Sequence, residues 1–379
     1  MVEFFKAGTA SVVVGGQFGS EAKGLVAAHL AITSSSVDVP IISTTNAGAQ
    51  AGHTTVLDDG RKFVCYHLPT IGVMLSDSRI YINAGSIMDL DLFLQEVHDV
   101  CAVTGEDEDH MWARIVVHPQ AALISTKHKE TEKTGSVRSI GSTQKGVGEA
   151  LVSKIRRENH STVGHFRDDV PFRVAMLDLN AMLESGMFAV SIEIPQGTGL
   201  SINAGGFFPH CTSRDCWVGQ GMTDAGINPK YLGKVAMVCR TFPIRVGNIT
   251  DEAGATVGYS GDFAAGSLEL EWSEFQNVVP ERTTVTKRVR RIATWSHDQY
   301  LNALRLNRPD IVYLTFTNYL YAHESQDTLE NFAYTMRSVE RTAGLQPAHV
   351  YSWGPRVGQC DRLIYLAAEK SALVASEGV

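Results

Sequence analysis

The stretch that most constrains the fold is Ser11-Val12-Val13-Val14-Gly15-Gly16-Gln17-Phe18-Gly19-Ser20-Glu21-Ala22-Lys23-Gly24, with the helix-like run that follows to His29. A β-branched run predicts a strand, the glycines a tight turn, and Glu21, Ala22 and Lys23 the first turn of a helix. Backbone N–H groups in such a loop point outward and suit an anion. Lys23 is expected to add a mobile positive charge on the same side. No Gly-Lys-Ser/Thr follows a four-residue gap, so this is not a Walker loop. A glycine-rich turn used only for packing would look the same. The rest of the chain decides between them.

Strand-like and helix-like segments alternate for most of the 379 residues. Strands are expected at Pro40–Thr44, Lys62–Leu68, Arg79–Ile82, Arg114–His118, Phe188–Ile194, Val235–Arg240, Ile311–Thr315 and Val350–Trp353. Helices are expected at Asp89–Cys101, Gln120–Glu130, Leu177–Glu184, Ser296–Leu306, Leu329–Ala343 and Leu363–Ala375. Gly105–His110 reads as an acidic surface loop, and a long glycine-rich loop runs from Pro195 to Pro229. Polar and glycine residues recur just after strands, where an α/β sheet forms its ligand crevice. The pattern favours an α/β fold with a large, mostly parallel central sheet flanked by helices. Residues 1–379 read as one catalytic domain with helical and loop insertions.

Composition excludes several classes. A formal charge of −8 argues against a general nucleic-acid or membrane-surface binder. Any basic site must be local, and Thr283–Arg291 is the one dense cationic run. The six cysteines form no Cys-x-x-Cys pair, which reads as reduced thiols in the cytoplasm rather than a zinc site. No apolar run reaches membrane-spanning length, and Met1–Ala10 carries Glu3 and Lys6 without a signal-peptide core.

Six motifs in order carry a resemblance to the adenylosuccinate synthetase family. Gly15–Gly24 is similar to its opening Gly-x-Gln-Trp-Gly-Asp-Glu-Gly-Lys-Gly. Gln50-Ala51-Gly52-His53-Thr54 is similar to Asn-Ala-Gly-His-Thr, and Ile140–Gly148 to Ile-Gly-Thr-Thr-x-x-Gly-Ile-Gly. Gln196-Gly197-Thr198 matches Gln-Gly-Thr. Thr286–Trp295 resembles the Thr-Gly-Arg-x-Arg-Arg…Trp run, and Ser352-Trp353-Gly354-Pro355 the Ser-Thr-Gly-Pro near the C-terminus. The resemblance implies a P-loop-related fold and a two-step reaction. The γ-phosphate of a nucleoside triphosphate goes to the O6 of a 6-oxopurine nucleotide, and the L-aspartate amine then displaces phosphate.

By motif position, Ser20, Lys23, His53 and Gln196 would be catalytic, with His53 protonating or hydrogen-bonding O6 and Lys23 stabilising the transferring phosphate. Ser20, Gln50, Thr143, Arg157, Gln196, Thr212, Ile244 and Val246 would hold the nucleoside monophosphate, Arg157 reaching the site of a neighbouring subunit in a homodimer. Gly16, Gln17, Gly19, Glu21, Ala22, Lys23, Gly24, Gly52, His53, Thr54, Arg290, Thr317, Asn318, Gly354 and Pro355 would hold the triphosphate. Val285, Thr286, Arg288 and Arg290 would bind aspartate, where guanidinium geometry suits carboxylates. Mg²⁺ would sit at Ser20 and the Gly52 carbonyl.

Two departures from the family are informative. Ser20 stands where the family has the Asp that takes the purine N1 proton. Serine is a poor base and smaller, leaving room beside purine position 2, where a guanine nucleotide carries its amino group. The same change marks phage-type members that convert dGMP, aspartate and ATP to a precursor of 2-aminoadenine in DNA. Phe316-Thr317-Asn318 replaces the guanine-reading Lys-x-Asp. An amide offers a donor and an acceptor, which suits adenine. The expectation is therefore dGMP or GMP as acceptor and ATP or dATP as donor, in a host cytoplasm if phage-encoded. An IMP-specific synthetase and a silent nucleotide-binding relative are the alternatives. Glu21, a substrate phosphate or a water are candidates for taking the N1 proton.

Overall fold

The computed structural model describes residues 3–34, 38–165, 170–283, 287–325 and 327–361. The expected helix at Leu363–Ala375 and the aspartate-site residues Val285 and Thr286 lie outside the described residues. Among the described residues ten strands form one sheet: β1 (Ala10–Gly15), β2 (Ile41–Thr45), β3 (Arg79–Ile82), β4 (Ile115–Val117), β5 (Arg173–Val174), β6 (Ala189–Glu193), β7 (Leu232–Arg240), β8 (Ile311–Thr315), β9 (Ala348–Ser352) and β10 (Cys360–Asp361). Their order is β10-β9-β8-β7-β1-β6-β2-β3-β4-β5. Neighbours pair in parallel, apart from the antiparallel β9–β10 pair at one edge. Smaller two- and three-stranded sheets decorate this frame, among them the hairpin of His53–Val56 with Lys62–Cys65.

Alternation along the central strands explains the two-sided burial. Val12, Ile42, Val190, Ile192, Met237, Cys239, Val312 and Leu314 enter one apolar core. Val13, Ile41, Ala189, Ala236, Val238, Ile311 and Tyr313 enter another. Both faces of a parallel sheet are covered, so these strands read as continuous apolar runs rather than alternating ones. Each large aliphatic side chain so buried contributes about 1.5–3 kcal/mol.

β1 lies between β6 and β7, where the chain departs to opposite sides of the sheet. That is the switch point at whose carboxyl end an α/β sheet opens a crevice. The glycine loop leaves β1 there. The helix after it spans Lys23–Thr33, so Glu21 and Ala22 precede it and do not form its first turn. Ala22 adopts left-handed backbone, φ 64°. Gly24 is needed where helix meets hairpin, because a Cβ would lie 2.7 Å from the Thr54 carbonyl oxygen.

Three local expectations are corrected. Gly105–His110 is not all loop: Glu108–Arg114 is a helix, capped by the Asp107 side chain accepting from the His110 N–H. Acidic residues suit a helix N-terminus as well as a loop. The helix expected at Gln120–Glu130 is a short strand, Ala122–Leu123, then a helix at Thr126–Thr134. Ser125 starts that helix through a reciprocal cap with His128. Within the glycine-rich segment to Pro229, Val218–Asp224 is helical, because Val218 and Met222 face the main core.

Candidate active site

Loops at the carboxyl ends of the sheet enclose two cavities. The first, about 460 Å³, is lined by Gln50, the Ile140–Thr143 loop, Gln196, Thr212, Arg245 and Val246, among others. The second, about 450 Å³, is lined by Ala22, Lys23, Gly24, Thr54, Lys62, Arg282, Phe316, Asn318, Gly354 and Pro355, among others. Gly19, Ser20, Gly52, His53 and Arg290 line both. The two spaces therefore meet at the end of the glycine loop. Lys23, Lys62, Arg282 and Arg290 give the second cavity a cationic wall suited to phosphates.

Polar atoms without protein partners mark the first cavity and the junction. Both amide atoms of Gln50, His53 Nε2, Gln196 Nε2 and Arg245 Nη1 are buried and unsatisfied. Each such group costs about 1–3 kcal/mol unless something meets it, so the surface is built for a polar ligand.

The glycine loop differs from the expected open cradle. Glu21 is fully buried, and its Oε1 accepts from the Gln17 and Gly19 N–H groups at 3.2 and 2.6 Å. Lys23 Nζ pairs with Glu21 Oε2 at 3.1 Å and donates to the Gly19 carbonyl. Lys23 is thus held in place rather than mobile, and part of the cradle is filled by a carboxylate from the same chain. Gln17 faces away and exchanges two hydrogen bonds with the Arg240 backbone. Gly16 packs on β7, where a Cβ would lie 2.6 Å from Cys239 Sγ. Gly16, Gln17 and Glu21 shape the loop and line neither cavity.

Ser20 and the cationic run come together across the fold. Arg290 Nη1 donates a short hydrogen bond to Ser20 Oγ. Arg240 is buried, donates to the Ser20 carbonyl at 3.1 Å, and pairs with Glu281 at 2.5 Å. Burial works to raise the Glu281 carboxyl, but the Arg240 guanidinium and its hydrogen bond hold it below its ordinary range. Arg240 also stacks on the Phe316 ring, 3.8 Å from its centroid. In the first cavity, burial chiefly, then Arg291, pulls the Arg245 guanidinium down to about 10. Arg245 donates to the Ser260 and His210 carbonyls and covers the Phe18 ring.

Other expected residues lie elsewhere. Ile244 is buried in the core, while its neighbour Val246 lines the first cavity. Thr317 donates twice to the Ser352 carbonyl and ties two loops, whereas Thr315 lines the second cavity. Arg288 lines neither cavity, and its guanidinium donates to the Gly247 and Ser142 carbonyls. Arg157 is exposed, with left-handed backbone, just past the helix Val147–Ile155.

Glu193, Arg240, Arg245 and Glu281 were missed from sequence. Glu193 and Arg240 are charged residues at the carboxyl ends of mostly apolar strands, and that was the available signal. Glu193 Oε2 lies 3.4 Å from His53 Nδ1.

Two joined cavities at the carboxyl end of a parallel sheet, with buried hydrogen-bonding groups and cationic side chains in their walls, place this chain among α/β proteins with a ligand crevice at the strand ends. Known proteins narrow the class. Residues 12–185 match the adenylosuccinate synthetase family. The N6-succino-2-amino-2'-deoxyadenylate synthase of Salmonella phage PMBT28 is 35% identical over 93% of this chain and 97% of its own. The adenylosuccinate synthetase of Methanococcus aeolicus is 30% identical over 93% and 98%. The succinoaminodeoxyadenylate synthetase of cyanophage S-2L, solved with dGMP and with dATP as an energy donor, has a TM-score of 0.79 at 28% identity, covering 96% of this chain and 97% of its own. The chain belongs to the adenylosuccinate synthetase family of ligases.

The family implies Mg²⁺, but the expected ligands do not make a resident site. Magnesium seeks carboxylate and phosphate oxygens. Ser20 Oγ instead accepts from a guanidinium, which leaves the Gly52 carbonyl as the other expected ligand and no carboxylate beside it. Among the described residues no three His, Cys, Asp or Glu side chains form a metal-holding group. No described helix is long and apolar enough to cross a membrane.

Proposed function

We propose that this chain joins L-aspartate to carbon 6 of dGMP or GMP, using ATP or dATP. The products are N6-succino-2-amino-2'-deoxyadenylate (from dGMP), a nucleoside diphosphate and phosphate. One observation carries the reading. Ser20, at the junction of the cavities, presents a small hydroxyl held by Arg290 instead of a carboxylate. A carboxylate there would crowd the edge of a purine whose position 2 is not bare. A hydroxyl leaves space for a 2-amino group and can accept its hydrogen.

In this reading the monophosphate occupies the first cavity. Its phosphate lies against Ser142 and Thr143, and its base against Gln50, Gln196 and Thr212. Triphosphate fills the second cavity along Lys23, Lys62 and Arg282, with its base at Asn318, Gly354 and Pro355. The cyanophage relative, solved with dATP as an energy donor, supports an adenine donor. O6 and the γ-phosphate then meet at His53, where orientation and fixed cations lower the barrier. Mg²⁺ carried by the triphosphate would supply charge neutralisation to its phosphates. Arg290 is the guanidinium positioned to receive an aspartate carboxylate, in exchange for Ser20. Arg157 acts by reaching a neighbouring copy in a homodimer, in the cytoplasm of a phage-infected host.

The test is a screen of dGMP, GMP, dIMP and IMP against ATP, dATP and GTP, with aspartate and Mg²⁺, following the succino product. Turnover confined to IMP would reject the proposal.

A further inference from the structure

We propose that His53 takes the N1 proton of the purine, and that Glu193 is the positioning residue that prepares it. The inference rests on the reaction proposed above, which needs N1 deprotonated before O6 can attack phosphorus.

The other groups near the junction are occupied. Ser20 Oγ accepts from Arg290, and a hydroxyl is a weak base. Glu21 is enclosed with Lys23 and the loop N–H groups. Glu281, in the second cavity, is held by Arg240 and the Tyr319 hydroxyl. Glu132, in the first, accepts from the Gly146 and Gly148 N–H groups at 2.7 and 2.8 Å.

His53 is different. It lines both cavities, and its buried Nε2 has no protein partner. Behind the ring, fully buried Glu193 is anchored at two points: Oε1 accepts from the Ile71 N–H at 2.7 Å, and its carbonyl accepts from Thr45 Oγ1 at 2.7 Å. The remaining oxygen, Oε2, is buried without a hydrogen-bond partner and sits 3.4 Å from His53 Nδ1, close enough to pair with it. A carboxylate only accepts, so the ring hydrogen belongs on Nδ1 and the Nε2 lone pair faces the junction. Contacts of this kind tighten when substrate binds.

The step balances. The N1–H bond breaks and its proton goes to Nε2. The electron pair passes through C6 to O6, which attacks the γ-phosphorus while the bond to the β–γ bridging oxygen breaks. The resulting imidazolium is paired with Glu193, and its Nε2–H can then donate to the phosphate that leaves carbon 6.

The test combines ¹⁵N NMR of the His53 imidazole, assigned by its loss in His53→Asn, with kinetics of Glu193→Gln and Glu193→Ala. Wild-type enzyme should show the Nδ1–H tautomer, and Glu193→Ala a mixture. Glu193→Gln, which keeps an acceptor for Ile71, should lose about 100-fold in kcat with dGMP and ATP KM values nearly unchanged. An Nε2–H tautomer in the wild type, or undiminished kcat in Glu193→Gln, would overturn the inference. Failure of wild-type enzyme to use dGMP would instead reject the reaction and the proton role with it, while a tautomer lost in Glu193→Ala would still support the positioning.

Discussion

The guanidinium of Arg290 donates to the hydroxyl of Ser20, joining residues 270 positions apart at the point where the two cavities meet. The pair links the residue that distinguishes this chain from the family pattern to the cationic run that would grip aspartate. Exchanging one partner should therefore change which purine is accepted.

Ser20→Asp places a carboxylate beside Arg290 and the purine edge. The kcat/KM ratio of dGMP to IMP should fall by at least about tenfold, a difference of roughly 1.4 kcal/mol in transition-state binding. Steady-state kinetics with both nucleotides checks this. An unchanged ratio would remove Ser20 as the selector.

Asn318 lines the second cavity beside Gly354 and Pro355. Asn318→Asp replaces an amide with a group that only accepts, which fits guanine's N1–H and 2-amino donors. Preference should move from ATP toward GTP by roughly 1–3 kcal/mol. Competition between the two triphosphates measures it.

Gly19 has left-handed backbone, φ +94°, and a Cβ would lie 2.7 Å from Gln196 Cα and 3.0 Å from its carbonyl carbon. Backbone atoms cannot swing aside as side chains can. Gly19→Ala should cost about 1–3 kcal/mol of stability and displace both the loop and Gln196. Thermal melts and turnover should therefore fall together.

Glu281 links stability to acid. Its carboxyl is held below the ordinary value by Arg240, so the native state favours the ionised form. The stability this contributes is fully present above the unfolded carboxyl pKa and is lost as pH falls through the lower native value. Tm of the wild type should exceed that of Glu281→Gln near neutral pH, and the gap should close below about pH 4. A gap constant with pH would refute the linkage.

Much of the frame was legible beforehand. Arg79–Ile82 and Ile311–Thr315 were bounded correctly because short runs rich in β-branched and aromatic residues announce buried strands. Ser296 marked a helix start through its side-chain cap. The carboxylate within the glycine loop was misread because pattern alone does not reveal which way a side chain turns. Glu21 in a helix first turn would face solvent, but the left-handed Ala22 moves the helix start to Lys23 and lets the carboxylate fold back under the loop.

By itself the sequence determined the alternation of strand and helix, the glycine loop after β1, and the residue types able to handle phosphate, purine and carboxylate. Those depend on local pattern and backbone freedom, which neighbouring residues carry. Tertiary structure alone decided that Gly19, Ser20, Gly52, His53 and Arg290 would share one junction, that Lys23 would be held by Glu21, and that Glu193 would stand behind His53. The reason is the order of the sheet. Setting β1 beside β6 and β7 brings together loops far apart in sequence, and the distances and burial that define the site arise from that packing.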